Sequence, residues 1–586
     1  MSDHTSTGIS RRDVLKLSAL AGATASLTPL ATSPLAAIAA ATAPSDFSEM
    51  TITQFQALIG SGQMRSTDLV NFYLRRIQAL DQGGPLVNSV IEINPDAQAI
   101  AQQLDTERQA GHVRGPLHGV PVLLKDNVDT HDRMQSAAGS LALVGTPPAQ
   151  DATVAANLRA AGAVILGKTT LSEWANFRSF YSTSGWSGRG GQCNNPYAID
   201  RNPCGSSSGS GAAPSANFTA VSIGTETDGS IVCPANHNGV VGIKPTVGLV
   251  SRAGIVPISH TQDTAGPHTR SVADAAAVLT AIVQRTADPR DSATSGNRNR
   301  IPKDYTQFLD SSGLRGARIG VAREFEGFSP KLDAVFEDAL RAMTSAGATL
   351  VDVTFPHFGE IFTGTAEFTV LLFDFKIDLQ KYLATRSGVP LAGGTLADAI
   401  AFNDAHASQE LQFFGQEIFE LAQAFSSDPA AVQPLGMSYN DAIAADRLFG
   451  ATEGIDLILS PSGNSLHQPL DAIVAPTDNP AWPTDLINGD HFVIGSSSPA
   501  AIVGYPIINV PMGFTFGAPV GISFMGTAFS EPTLIKLASG FEAVTHARQQ
   551  PKFLATLPFN TKGMPTPSRV HRRRNIPGGR VAPVHI

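Results

Sequence analysis

Residues 202–236 read NPCGSSSGSGAAPSANFTAVSIGTETDGSIVCPAN, two Gly/Ser-rich clusters on either side of one apolar run, 219–223. With Ser206 and Ser230 as reference points, the clusters lie 24 residues apart. A single Gly/Ser cluster is usually a linker or loop. Two of them flanking a short hydrophobic strand do not describe a linker. Glycine makes tight turns because it alone adopts positive φ without steric cost. A hydrolytic serine needs such a turn, with its hydroxyl exposed and backbone N–H groups placed to hold a developing oxyanion. The pattern therefore predicts an active site.

A third piece lies upstream in GPLHGVPVLLKDNVD, residues 115–129. Val120, Val122, Leu123 and Leu124 read as a short buried strand with Lys125 at its end. Most lysines stay at the surface, but this apolar approach, followed by Asp126 and Asn127, draws Lys125 inward. Burial disfavours the ammonium and lowers its pKa, the change a lysine needs to act as a base near neutral pH. A Ser–Lys pair is thus a simpler reading than a Ser-His-Asp triad. Of the fourteen histidines, His118, His237 and His260 lie near the glycine-rich region, and His118 and His260 read as loop or core residues.

These segments together resemble the amidase signature family, whose catalytic unit is Ser-(cis-Ser)-Lys. The residues that carry the likeness are Lys125 in GVPVLLKD, Ser206 in CGSSSGSG and Ser230 in GTETDGSIVCPA. GRGGQCNNPY, NGVVGIKPTVGLVSRAGIVPISHTQDTAGP, GYPIINVPMGF and PVGISFMG extend it over about residues 50 to 550. Within the family the wording is most similar to peptide amidases, which release ammonia from the C-terminal amide of peptides. The resemblance implies Ser230 as nucleophile, Ser206 after a cis bond from Gly205 as proton bridge, and Lys125 as base. It further implies Ser207 as the hydrogen-bond partner that orients Lys125. Backbone N–H groups of Thr227, Asp228, Gly229 and Ser230 would form the oxyanion hole. It implies no cofactor. The fold it implies is α/β, one large amidase-signature domain with a mixed β-sheet core covered by helices.

Many members of the family carry glycine where this chain has Asp228. Aspartate tolerates unusual backbone angles, and an ionised carboxylate here would disfavour anionic substrates. The reading preferred from sequence is that Asp228 caps the helix starting near Ile231, where an acid suits the N-terminal dipole. Three cysteines, Cys193, Cys204 and Cys233, cannot all pair. They show no metal-ligand spacing and read as buried thiols, with a Cys193–Cys204 disulfide left open.

The organisation expected is a leader over 1–43, an amidase domain over 44–564 and a basic flexible tail over 565–586. The leader has Arg11 and Arg12 before an Ala/Leu-rich stretch, then Ala41-Thr42-Ala43, and resembles a twin-arginine export signal. A periplasmic or extracellular location follows, without stable membrane insertion once the signal is removed. A net charge of −9 gives no support for nucleic-acid binding. The catalytic core is expected over about 115–270.

Helical patterns fall at 66–81, with Ser66 as cap, and at 95–110, 152–161, 271–284, 330–346, 366–384, 438–450 and 531–545. Strands are expected at 120–125, 163–167, 219–224, 317–322, 348–353, 455–460, 507–511 and 519–524. Residues 355–450, rich in phenylalanine, form the expected substrate-shaping helical region. The leading function is hydrolysis of peptide C-terminal amides. A broader aryl or aliphatic acylamidase is the main alternative. It stands ahead of an amidotransferase subunit or a non-catalytic amide-binding protein. The partner is accordingly a small-molecule or peptide amide.

Overall fold

Two continuously buried segments fix the centre of the structure. Strand β2 (Pro121–Lys125) and strand β6 (Val221–Glu226) are buried along their whole lengths, as strands covered on both faces must be. They pair in parallel, Val122 opposite Val221 and Leu124 opposite Ile223. The computed structural model describes residues 46–296 and 301–558. The expected export signal (1–43) and basic tail (565–586) lie outside the described residues.

The other strands of the main sheet are β1 (Val90–Ile93), β3 (Val164–Thr169), β7 (Val241–Lys244), β8 (Thr264–Thr269), β9 (Arg318–Ala322), β10 (Thr349–Val353), β11 (Ala472–Pro476), β12 (Ile507–Thr515) and β13 (Ala518–Met525). Trp186–Ser187 (β4) and Gly191–Gln192 (β5) form a separate small hairpin. The eleven strands run in the order β1-β3-β2-β6-β8-β7-β12-β13-β11-β9-β10. The sheet is mixed: β2 is parallel to β3 and β6, and β9 is parallel to β10 and β11. The pairs β6–β8, β7–β8, β7–β12 and β12–β13 are antiparallel. Helices cover this sheet, so the expected α/β architecture with a mixed core is the one observed.

Seven of the eight expected strands appear. The exception is 455–460, where residues Asp456–Leu459 are helical. A short apolar run such as IDLIL carries no periodicity that separates strand from buried helix. The strand in this part of the chain is β11. Nor does Ser66 cap its helix (Ser66–Arg76), which begins one residue earlier with Arg65 as N-cap. The carboxylate of Asp105 instead accepts from the N–H groups of Ser66 and Thr67 at 2.7 and 3.1 Å. A neighbouring helix thus does the work expected of the local serine.

The phenylalanine-rich region packs a second apolar core beside the sheet. Phe373, Phe375, Phe414, Phe419 and Phe425 are buried, and the Phe375 ring stands 5.1 Å from Phe177 and 5.0 Å from Phe419. Phe368 and Phe402 are only partly buried. Among the described residues no helix is long and apolar enough to cross a membrane.

The disulfide left open between Cys193 and Cys204 is not the one formed. Cys204 bonds to Cys233, with Cα atoms 5.9 Å apart, and Cys193 is a buried free thiol. The pairing is tertiary: it joins the turn before Ser206 to the helix after Ser230. Removing a cross-link of this span typically costs about 2–4 kcal/mol. The double substitution Cys204→Ala/Cys233→Ala is therefore expected to lower unfolding stability by about that amount in urea melts, and an unchanged midpoint would contradict it.

Candidate active site

The parallel pairing of β2 and β6 sends both strands out of the sheet at the same edge. Lys125 is the last residue of β2; Thr225 and Glu226 end β6. The turn 227–230 then leads into the helix Val232–His237. Gly229 has φ +79, which a side-chain-bearing residue adopts poorly. Glu226 fastens this turn, its Oε2 accepting from the N–H groups of Ile231 at 2.6 Å and Val232 at 3.0 Å.

The second turn comes in beside it. The Gly205–Ser206 peptide is cis, and Cys204 before it has φ +57. A Cβ on Gly205 would meet Ser172 Oγ at 2.2 Å and Ser184 Oγ at 2.9 Å, so any other residue would have to displace both hydroxyls. Asn202 Oδ1 accepts from the Cys204 N–H at 2.7 Å. The disulfide ties this turn to the helix after Ser230.

The three residues singled out from sequence come together. Lys125 Nζ lies 2.8 Å from Ser206 Oγ, and Ser206 Oγ lies 3.0 Å from Ser230 Oγ, both hydrogen-bond distances. Lys125, Ser206 and Ser230 are all buried. Burial pushes the Lys125 pKa down to about 7, with Asp263 and Glu226 pulling it partly back. The remaining contacts of Nζ are both to Thr225, Oγ1 at 2.9 Å and the carbonyl oxygen at 3.2 Å. A neutral amine has two N–H groups and one lone pair. With the two N–H groups taken by Thr225, the lone pair faces Ser206, and the arrangement can draw a proton from Ser230 through Ser206.

Ser207 does not touch Lys125 directly, contrary to the sequence expectation. Its hydroxyl donates to the Thr225 carbonyl at 2.9 Å and accepts from the Thr225 N–H at 3.1 Å. It therefore fixes the residue that holds the lysine. Asn127, which follows the apolar approach in sequence, donates from Nδ2 to Thr225 Oγ1 at 3.0 Å, and Thr225 itself is the residue that the sequence pattern does not single out. Thr225 stands in GTETDGS, two residues before the turn, and its position in the motif was the available signal.

The turn carries the four residues expected to form an oxyanion hole, Thr227, Asp228, Gly229 and Ser230. It lies between the end of β6 and the start of the helix, so the N–H groups of Thr227, Asp228 and Gly229 belong to neither. Thr227 Oγ1 donates to Asp263 Oδ1 at 2.6 Å. The helix-cap reading of Asp228 is overturned. Glu226 takes the helix N–H groups, and Asp228 Oδ2 instead accepts from Ser498 Oγ at 2.6 Å.

Histidines play no comparable part among the described residues. His118 Nε2 sits 2.9 Å from the Leu104 carbonyl, and His237 Nε2 sits 2.9 Å from that of Asn479. Both are buried. His260 is half-exposed and faces Asp378, Nδ1 to Oδ2 2.7 Å.

A family model described as Amidase matches residues 68–535. The native peptide amidase from Stenotrophomonas maltophilia is 49% identical, with 87% of this chain and 100% of that chain covered and a TM-score of 0.79. An Arabidopsis thaliana protein described as a probable amidase is 43% identical over 86% of this chain and 92% of its own length. A glutamyl-tRNA(Gln) amidotransferase subunit from Myxococcus xanthus is 32% identical over 84% of this chain and 97% of its own length. Sequence, fold and similarity converge: the chain belongs to the amidase signature family and is an amide-hydrolysing enzyme.

Proposed function

We propose that this enzyme hydrolyses the C-terminal carboxamide of peptides through a Ser-(cis-Ser)-Lys mechanism. The observation that carries the mechanism is the unbroken hydrogen-bond chain from Lys125 Nζ through Ser206 Oγ to Ser230 Oγ. The substrate class is supported by similarity to peptide amidases, one of them 51% identical and solved with the competitive inhibitor chymostatin.

Ser230 Oγ attacks the amide carbonyl while its proton passes to Ser206 Oγ and that of Ser206 passes to Lys125 Nζ. The carbonyl oxygen gains the electron pair and is held by N–H groups of Thr227, Asp228, Gly229 and Ser230. Collapse breaks the C–N bond, and a proton returning through Ser206 lets nitrogen leave as ammonia. Water then attacks the acyl-enzyme by the same proton route, releasing the free acid and restoring Ser230. The broader acylamidase shares the nucleophile, the proton route and the acyl-enzyme, and differs in the aryl or aliphatic amides it accepts, and so in the amine that leaves.

Export is the second part of the proposal. The Arg11-Arg12 motif supports a twin-arginine route, and the Cys204–Cys233 disulfide suits an oxidising compartment. Such a location also speaks against a role as an amidotransferase subunit in the cytoplasm.

Ser230→Ala is expected to cut amide hydrolysis on the order of a millionfold while leaving the far-UV spectrum unchanged. Ser206→Ala should lose less, because water can stand in for the relay hydroxyl. Wild-type turnover by either purified variant would refute its assigned role.

Lys125 works as a base only when neutral. With its pKa lowered to about 7, kcat/KM should rise with pH through that region and then level off. Lys125→Ala should remove this limb along with most of the rate. A profile flat through neutrality in the wild type would exclude Lys125 as the titrating base.

Mass spectrometry of peptide amides incubated with the enzyme should show the C-terminal amide converted to the acid with internal bonds intact. The mature chain should begin near Pro44 and be recovered outside the cytoplasm. Internal cleavage, or activity confined to aryl amides, would favour the broader reading.

A further inference from the structure

With its capping role gone, Asp228 stands beside an unusual set of groups. Glu367, in the first turn of helix Ala366–Leu383, lies against Asp228 and within electrostatic reach of Asp446, the last residue of helix Tyr439–Asp446. Two carboxyls thus meet, Asp228 from the turn that presents Ser230 and Glu367 from the helix, and Asp446 acts on Glu367 from a third segment. Lys244 compensates Asp228 in part. Asp446 is buried, its Oδ2 accepts from no donor among the described residues, and burial pushes its pKa up to about 8. Burial and the neighbouring carboxyls raise Glu367 well above its ordinary range.

Gln262 points the same way independently. It is buried, its Nε2 donates to Glu367 Oε1 at 2.8 Å, and its own Oε1 lacks a donor among the described residues. Oε1 belongs to the same amide whose Nε2 meets Glu367. Acceptors here outnumber donors. Buried polar atoms are ordinarily satisfied, and buried charges are paired or neutralised. A group with several N–H donors and a positive charge would meet both needs, displacing any proton the carboxyls share. Apolar surface begins one residue further along the same helix as Glu367. Phe180 and Tyr181 are exposed by 42% and 58%, and the Phe180 ring stands 5.7 Å from that of Phe368, the residue after Glu367.

We propose that Asp228, Glu367, Asp446 and Gln262 form a subsite for a positively charged group, ammonium or guanidinium, on the acyl side of the substrate. The charged group sits among the carboxyls while the apolar part of the acyl chain lies along the aromatic surface. This rests on the amide-hydrolase reading of the Lys125–Ser206–Ser230 site. Two sources supply the same chemistry in a peptide amide: a free N-terminal ammonium, or a lysine or arginine side chain.

The test measures kcat/KM on matched amides with the full-length enzyme after normal processing. N-acetylated peptide amides with lysine or norleucine report the side-chain source; free and acetylated forms of one neutral peptide amide report the N-terminal source. The amide of ε-aminocaproic acid against heptanamide provides a pair without peptide bonds. At least one charged member should be favoured about tenfold or more, the scale of charge-assisted hydrogen bonds. Glu367→Gln and Asp446→Asn should each bring that ratio close to one. As a readout in the unsubstituted enzyme, pentylammonium should inhibit competitively and pentanol should inhibit far more weakly.

Equal kcat/KM within all three pairs, or a preference that survives both substitutions in folded protein, overturns the subsite. If the substituted proteins do not fold, equal inhibition by pentylammonium and pentanol overturns it instead. Peptide amides left untouched while the aminocaproic amide is preferred over heptanamide would remove the peptide reading and keep the subsite. Peptide amides hydrolysed without regard to charge would do the reverse.

Discussion

An amine buried at the end of a central strand is the constraint to which the rest of the site answers. Desolvation favours the neutral form of Lys125, and its pKa is lowered to about 7. The groups that touch Nζ are oxygens of Thr225 and Ser206; the carboxyls of Asp263 and Glu226 act on it without contact. A carboxylate bonded directly to Nζ would hold the proton and remove the basicity. Placing a threonine there requires β6 to run parallel to β2 in its observed register. Keeping Ser206 within reach requires the turn at Gly205, a glycine closely approached by the side chains of Ser172 and Ser184. The disulfide then joins that turn to the helix following Ser230.

Burial alone does not mark the base. Lys168 and Lys244 are also buried, and burial lowers the pKa of each. Lys168 Nζ donates to the Val128 carbonyl at 2.6 Å and Ser136 Oγ at 2.8 Å, with Asp126 and Asp129 acting on it electrostatically. Lys244 Nζ donates to the Tyr505 carbonyl at 2.5 Å and sits in the field of Glu226, Asp228 and Glu531. What distinguishes Lys125 is the second hydroxyl beyond its partner: Ser206 leads on to Ser230, whereas no such onward step is seen from Ser136 among the described contacts. A depressed pKa is useful to catalysis only when a proton path leaves from it.

The motifs made Lys125, Ser206 and Ser230 legible because each sits at the end of an apolar run or inside a glycine-rich turn. Strands such as β2, β12 and β13 were legible for a related reason: their Val, Ile, Leu and Phe content reads as buried β structure. The main-sheet strands not foreseen are β1, β7, β8 and β11. Strand β8 reads TAGPHT and β7 reads VGIK; their glycine and proline suit turns, and pairing with neighbouring strands overrides that local preference. The same limit hid Thr225. Which hydroxyl meets the lysine depends on the register of two strands about a hundred residues apart in sequence, and no local pattern encodes it. Cys204 and Cys233 likewise became partners only when the two turns were brought together.

The four residues of the catalytic turn divide its physical tasks among them. Thr227 is tied by its hydroxyl to Asp263, and Asp263 Oδ2 in turn accepts from the N–H groups of Ile258 and Ser259 at 2.9 Å each. The loop before β8 is thereby held to the turn. Gly229 supplies positive φ where a Cβ would come within 3.2 Å of Ser497 Oγ. Ser230 carries the hydroxyl. Helix capping, the task an acid in this turn is suited to, is already done by Glu226 from the preceding strand. Asp228 is consequently the one member whose side chain is spared from building the turn. In a family where glycine is common at this position, its carboxylate adds charge next to the reacting serine without being needed for the turn's shape. The groups it meets, Ser498 and Glu367, belong to segments outside the glycine-rich core. At this residue the glycine-rich core that carries the chemistry meets the helices that lie outside it.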